Sequence, residues 1–579
     1  MLSKLSKKKQ YLLWAAGLFS GIKLAQYIKS RIISCQMSRK GKLKLDARNS
    51  KKYEFPPVQP EIQSFILSLS AHDLAKAIKS RQVTSLQAVS TYCQRAYTLG
   101  REMNLTAEEC FYEALEEAKL CDEETSKGLN RGILHGVPIS VKDHISMKGC
   151  TSSAGMVYKL DYPDKEDAVE IQLLKNQGAI PFVRSNLTQA VMWLETSNKI
   201  YGRSVNPWNH KKTVGGSSGG EGGLISCRAS PLGIGSDIGG SIRIPSTFCG
   251  IYGFKPTPSR VSCKGIISSQ IENVEPFGYI VPETQGPLGR SVDDLILVMK
   301  CWFSQNMNFY DPNILPMGFN ERVFYEERKL KIGYFNTSKI FEPAPCVKNA
   351  INRCAKELSK KYDVVEFQIP NLEEIIKIFF RLFGKVSSVY VPRSFQGEDP
   401  EPYYVPMIQE SKHPLFSTLM LKVLKRLGLN RLVELSLQDP VTTSEDFISG
   451  FRYMQKLVSQ AIDKWENEKI DAVICPIMGI VASDHGRTLE IAHSMVFCSS
   501  FNVLRFPCGI VPVGLVESKD ACYDDSFNDT ITQSCNDLMK DGQGLPYSLQ
   551  IVALPFKDEV ALRVMKDVED IFDFHKYAY

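Results

Sequence analysis

Apolar positions recur with helical spacing from about 61 to 126, as in 71–80 and 85–99, and Gly128 to Gly132 then turn the chain into a short apolar run at 137–141. Beyond that run two periodicities alternate. The segments 179–183, 231–235, 330–335, 364–369, 472–477, 510–516 and 548–553 predict strands, whereas 166–176, 291–303, 346–361, 371–384, 443–466 and 558–573 predict helices. Such alternation predicts an α/β fold, with a mixed sheet covered by helices on both faces. The expected organisation is a helical region over 36–130 packed on a body over 131–579.

Two segments depart from that plan. Residues 11–22 carry no charge, and apolar character continues to Ile33 past Lys23, Lys29 and Arg31. A spanning helix needs ~20 mainly apolar residues. Residues 1–35 are therefore expected to be a membrane anchor, with an interfacial amphipathic helix and an ordinary soluble helix as the other readings. Basic residues are denser after this segment than before it, which places the body on the cytoplasmic side. Within 403–437, the stretch from Pro414 sets Leu415, Phe416, Leu419, Met420, Val423, Leu424 and Leu427 on one helical face and Lys422, Lys425 and Arg426 opposite. This pattern fits either a core helix or a cap that docks on a bilayer.

At 579 residues, with 43% hydrophobic residues, the chain can bury a large core. Its net charge of +6 includes no basic motif interleaved with aromatics, so no nucleic-acid partner is expected. The 16 cysteines are scattered without a Cys-x-x-Cys pair and are expected to be mainly buried, reduced thiols, which again favours the cytoplasmic side. Sequons begin at Asn104, Asn186, Asn336 and Asn528, but Asn186 falls beside an expected buried strand. The histidines show no metal-ligand spacing, so neither a metal nor a cofactor is expected.

Three fragments carry chemistry: Val-Lys-Asp at 141–143, Gly-Gly-Ser-Ser-Gly-Gly at 215–220, and Asp-Ile-Gly-Gly-Ser-Ile-Arg at 237–243. A serine nucleophile needs a base and dipoles for the oxyanion it creates. Lys142 suits the base, because burial disfavours an ammonium, and Ser241 suits the nucleophile. Alternatively, Lys142 is an ion-pair partner of Asp143. Asp237 and Arg243 form either a structural pair or a substrate contact. The loop also satisfies Gly-x-Ser-x-Gly, which would make Ser218 a nucleophile with Asp484 and His485 or His493 as partners.

With Val-Asn-Pro-Trp at 205–208, Cys-Gly-Ile-Tyr-Gly-Phe-Lys-Pro-Thr at 249–257 and weaker motifs as far as 552, these fragments resemble the amidase-signature family, at its fatty-acid amide hydrolase branch. The resemblance implies a twisted mixed central sheet surrounded by many helices. It also implies Lys142 as base and acid, Ser217 as relay at a cis peptide bond, Ser241 as acylated residue, and Ser218 as a holder of the loop. Oxyanion donors would be the N–H groups of Ile238, Gly239, Gly240 and Ser241, and the Val191 carbonyl would meet the leaving amine. Met192, Trp193, Leu382, Phe383, Ile491 and Met495 would line an acyl channel, although Trp193 and Leu194 depart from the family's polar or phenolic residues. The implied protein is a homodimeric serine amidase on the endoplasmic reticulum or another endomembrane, cutting N-acylethanolamines or primary fatty amides. Alternatives are a small-amide amidase, a glutaminase-type amidotransferase subunit, or a lipid-binding protein without catalysis.

Overall fold

The computed structural model describes residues 7–268, 280–412, 414–426, 430–435 and 441–577, with side chains from residue 28 to 575 apart from those of 388, 410–412, 414–418, 430 and 432. Its strands are β1 (Thr106–Glu109), β2 (Pro138–Lys142), β3 (Ile180–Ser185), β4 (Val205–Asn206), β5 (Asn209–Thr213), β6 (Leu232–Asp237), β7 (Tyr252–Lys255), β8 (Thr284–Gly289), β9 (Lys331–Tyr334), β10 (Asp363–Glu366), β11 (Ala472–Cys475), β12 (Cys508–Leu515) and β13 (Pro546–Ala553). Eleven of them form one sheet in the order β1-β3-β2-β6-β8-β7-β12-β13-β11-β9-β10, while β4 and β5 pair separately. The sheet is mixed, as expected. β2 runs parallel to β3 and β6, and β9 runs parallel to β10 and β11, whereas β8, β7, β12 and β13 are linked by antiparallel pairings.

Every predicted strand and helix has a counterpart, with bounds shifted by a few residues and the helix begun near 371 extended to Leu372–Ser394. Local chemistry explains the sharp starts. The helices Ser85–Arg95, Val292–Phe303 and Ser444–Asn467 each open on a capping box, in which Thr84, Ser291 and Thr443 satisfy backbone N–H groups that no helical carbonyl can reach. β1 lies inside the region read as helical and adds an antiparallel edge to β3, and one buried core runs from Ile66 to Phe572. The N-terminal region thus shares its core with the body.

A single helix, Lys7–Ser50, crosses the expected boundary at residue 35. Its second half lies on the body: Ile33 packs against Gly397, Ser34 donates to Asp399 at 2.7 Å, and Arg48 is buried with its guanidinium on the Thr106 carbonyl. The anchor expectation falls mainly on side chains outside the described ones. Among the described residues, no helix is long and apolar enough to cross a membrane. Asn186 is buried and donates to the carbonyls of Asn104 and Gly202, so it is not a glycosylation site in this fold. All cysteines are unbridged, and most are buried.

Candidate active site

Parallel pairing brings the site together. Because Ser140 and Val141 of β2 lie opposite Gly233 and Ile234 of β6, the carboxyl ends of both strands open at the same edge, delivering Lys142 beside the loop that follows Asp237. β3, parallel to β2 on its other side, delivers the turn through Val191. The glycine-serine fragment at 215–220 enters from β5 and runs into the helix Gly219–Ser226 through a cis Gly216–Ser217 peptide. Gly216 is needed there, since a Cβ would come within 2.6 Å of the Trp193 carbonyl oxygen.

Lys142 is fully buried, and its Nζ lies 2.8 Å from Ser217 Oγ and 3.0 Å from Ser236 Oγ. Burial pulls the amine down to about 7, against the opposing pull of Glu283, Asp237 and Glu221. Asp143 does not pair with it. That carboxylate instead accepts from the N–H and hydroxyl of Ser153, at 2.9 and 2.7 Å. The Ser218 N–H donates to the Ser241 carbonyl at 3.2 Å, tying the relay loop to the candidate nucleophile, while Ser218 Oγ donates to the Ser236 carbonyl at 3.3 Å.

Asp237 shapes the 238–241 turn. Its carboxylate accepts from the Gly240 N–H at 2.8 Å and the Ile242 N–H at 3.2 Å, and it pairs with Arg243 at 3.0 Å. The guanidinium of Arg243, also on the Cys498 carbonyl and Gln550, holds the acid well below the usual carboxylate range. Asp237 and Arg243 are thus a buried structural pair. Gly240 adopts φ 127°, and a Cβ would fall 2.3 Å from Cys498 Sγ, so only glycine fits. Among the implied oxyanion donors, the Gly240 N–H is committed to Asp237. Gly239 offers its carbonyl to Ser499 Oγ at 2.8 Å.

On the other wall, Ala190 and Val191 both have positive φ, 56° and 63°. A β-branched residue there costs ~1–3 kcal/mol, and it is held by the Val191 N–H donating to Thr188 at 2.9 Å and the Ala190 N–H donating to Ala154 at 3.0 Å. Trp193 stacks on Tyr403 with centroids 5.3 Å apart and donates from Nε1 to Thr488 at 2.9 Å; the Met192 N–H donates to Tyr404. Phe383 stacks on Phe379, whose ring reaches the position a Gly239 Cβ would face at 3.7 Å. Met192, Trp193, Phe383 and Met495 are half-buried, whereas Leu382 packs on Gly450 and Ile491 is fully buried in the core.

The competing constellations do not assemble. His493 Nε2 faces the Arg431 carbonyl, Asp484 pairs with Lys212, and His485 Nδ1 lies 3.9 Å from Glu195, whereas Ser218 Oγ is bonded to the Ser236 carbonyl. Cys121, Glu124 and His135 lie together at metal-ligand distances. However, His135 Nδ1 accepts from the Arg131 N–H, Nε2 faces the Cys121 carbonyl and Thr125 Oγ1, and Glu124 is paired with Arg131. Ser236, His144 and Glu283, which lie against Lys142, were not singled out from the sequence. Only the proximity of His144 to Lys142 and of Ser236 to Asp237 could have drawn notice, and Glu283 comes from a distant segment.

A family model described as Amidase matches residues 87–562. The chain is 31% identical over 540 residues to fatty-acid amide hydrolase 1 of Sus scrofa, covering 91% of this chain and 90% of that protein. It is 28% identical over 522 residues to an acetamidase of Emericella nidulans, covering 88% and 90%. A solved fatty acid amide hydrolase structure shares the fold with a TM-score of 0.78 at 23% identity, covering 93% of this chain and 95% of that one. The motifs gathered at one sheet edge and the extent of these matches together establish that the chain belongs to the amidase-signature family.

Proposed function

We propose that the chain is a membrane-associated serine amidase that hydrolyses fatty-acid amides to free acid and amine. The observation that carries the reaction is the buried Lys142 amine 2.8 Å from Ser217 Oγ, next to a loop bonded to Ser241. Above about pH 7 the amine is neutral and can accept a proton. Ser217, which both donates and accepts, passes the Ser241 proton to Lys142 as Ser241 Oγ attacks the amide carbon. The oxyanion is met by the N–H groups of Ile238, Gly239 and Ser241, the ones Asp237 does not engage. As the intermediate collapses, Lys142 returns the proton through Ser217 to the leaving nitrogen, which the Val191 carbonyl orients. Water then cleaves the acyl-enzyme by the same route in reverse.

A lipid substrate is supported by the relatives and by the surface of the helix Pro414–Arg426. Leu419, Met420 and Val423 are exposed there beside exposed Lys422, Lys425 and Arg426, an arrangement suited to acyl chains and headgroups. Tyr403 and Tyr404, at the start of this region, touch Trp193 and Met192 of the site loop, which connects the cap to the chemistry. In this reading the protein is a homodimer on an endomembrane, with the catalytic body toward the cytoplasm. A small-amide amidase is the second reading, favoured by the similarity to acetamidase. Comparing kcat/KM for a long-chain primary amide and for acetamide separates the two. The proposal expects strong preference for the long chain, lost with Ser241→Ala; preference for acetamide would overturn the lipid assignment.

A further inference from the structure

Neutral Lys142 has one lone pair and two N–H bonds, and rotation about its last C–N bond is free unless a partner fixes it. To take a proton from Ser217, the lone pair must face Ser217 Oγ. An N–H must then be received by Ser236 Oγ, 3.0 Å away. A serine hydroxyl could equally turn and donate into the lone pair, which would disable the base.

His144 and Glu283 prevent that rotation. His144 Nε2 lies 3.0 Å from Ser236 Oγ and 3.4 Å from Glu283 Oε1, whereas its Nδ1 has no hydrogen-bond partner among the described residues. A carboxylate oxygen only accepts, so the ring proton belongs on Nε2. The Ser236 hydroxyl also draws the Glu283 carboxyl down. Ser236 then accepts from Lys142 and from His144, which occupies both lone pairs of its oxygen and leaves its proton free to turn toward Glu283. We infer that His144 and Glu283 are a buried positioning pair that acts through Ser236 to aim the Lys142 lone pair at Ser217. The inference rests on the reading of Lys142 as the base.

The surrounding charges point to Glu283 as the pair's electrostatic member. Lys142 also faces Asp237 and Glu221, but Asp237 is paired with Arg243 and Glu221 accepts from Ser140. Arg184, near His144, serves Asp164 and backbone carbonyls, and Glu170 is a further buried carboxyl that feels the Glu283 charge. Burial draws His144 down to about 4, so it is neutral through the working range and contributes direction, whereas Glu283 contributes charge that keeps Lys142 basic.

The test is the pH dependence of fluorophosphonate labelling and of amide hydrolysis in the full chain. The parent is compared with Glu283→Gln, His144→Ala and His144→Gln, with Lys142→Ala and Ser241→Ala as controls and thermal melting as the check on folding. Glu283→Gln should move the acid limb down by about one pH unit or more, because an anion that favours the ammonium is gone. His144→Ala should lower kcat about tenfold or more with KM unchanged. His144→Gln should recover most of it, because an amide N–H donor replaces Nε2–H. An unmoved limb in Glu283→Gln, with His144→Gln no better than His144→Ala in folded protein, overturns the pair alone. A parent without label on Ser241, or one whose limb survives Lys142→Ala, overturns the amidase reading and the inference with it.

Discussion

At the scale of single residues, the site joins an unfavourable burial to a chemical requirement. An ammonium without water or a close anion is costly, so Lys142 sheds its proton near neutrality and becomes the acceptor that a serine nucleophile lacks. Amide kcat/KM should therefore rise with pH through about 7 and then level, a profile read by initial rates across pH 5 to 9. Lys142→Ala should remove this limb and lower kcat/KM about 10²- to 10⁴-fold, with amides at least as affected as esters, since the amine also needs a returned proton. Retention of the limb would make Lys142 structural. Lys142 and Ser241 stand out in the sequence by their chemistry, whereas Ser217 is implied only by the family resemblance. The pair behind Lys142 was not legible, because Glu283 reaches it only through the pairing of β8 with β6.

Among elements, most strands could be read directly from their apolar character, even where glycine or proline interrupts it as in β6 and β12, but β7 and β8 could not. β7 reads Tyr-Gly-Phe-Lys and β8 reads Thr-Gln-Gly-Pro-Leu-Gly, with neither alternation nor an apolar run, yet both are central and buried. β1, Thr-Ala-Glu-Glu, is polar because it is an edge, and it hid within helical periodicity. Among the described side chains of the amphipathic helix Pro414–Arg426, Leu419 is 60% and Val423 43% exposed, while Leu424 is half-buried. Removal of residues 1–27 keeps the Ile33 and Ser34 contacts, and this truncated protein should still sediment with anionic liposomes. Leu419→Glu with Val423→Glu should release it and raise KM for long-chain amides several-fold more than for short ones. A truncated protein that stays in the supernatant would leave the N-terminal segment as the anchor.

For the whole molecule, one core spanning both regions makes stability a collective property, and its buried carboxyls are the points where pH acts on it. Burial pushes Glu170 up to about 8. Between the ordinary carboxyl range and pH 8, the folded state keeps a proton that the unfolded state has released. The contribution of Glu170 is thus fully present at low pH and is lost as pH rises through about 8. Glu170→Gln should raise Tm by a few degrees at pH 8 and less at pH 5, measured by calorimetry. An equal change at both pH values would show that the carboxyl ionises normally in the fold.

The central claim, that a buried lysine activates Ser241 through Ser217, is tested most directly by mapping the fluorophosphonate adduct. Mass spectrometry of the labelled parent at pH 8 should place the adduct on Ser241, with labelling slowed by orders of magnitude in Lys142→Ala and Ser217→Ala. An adduct on Ser218, or labelling of Ser241 at the parental rate without Lys142, would contradict it.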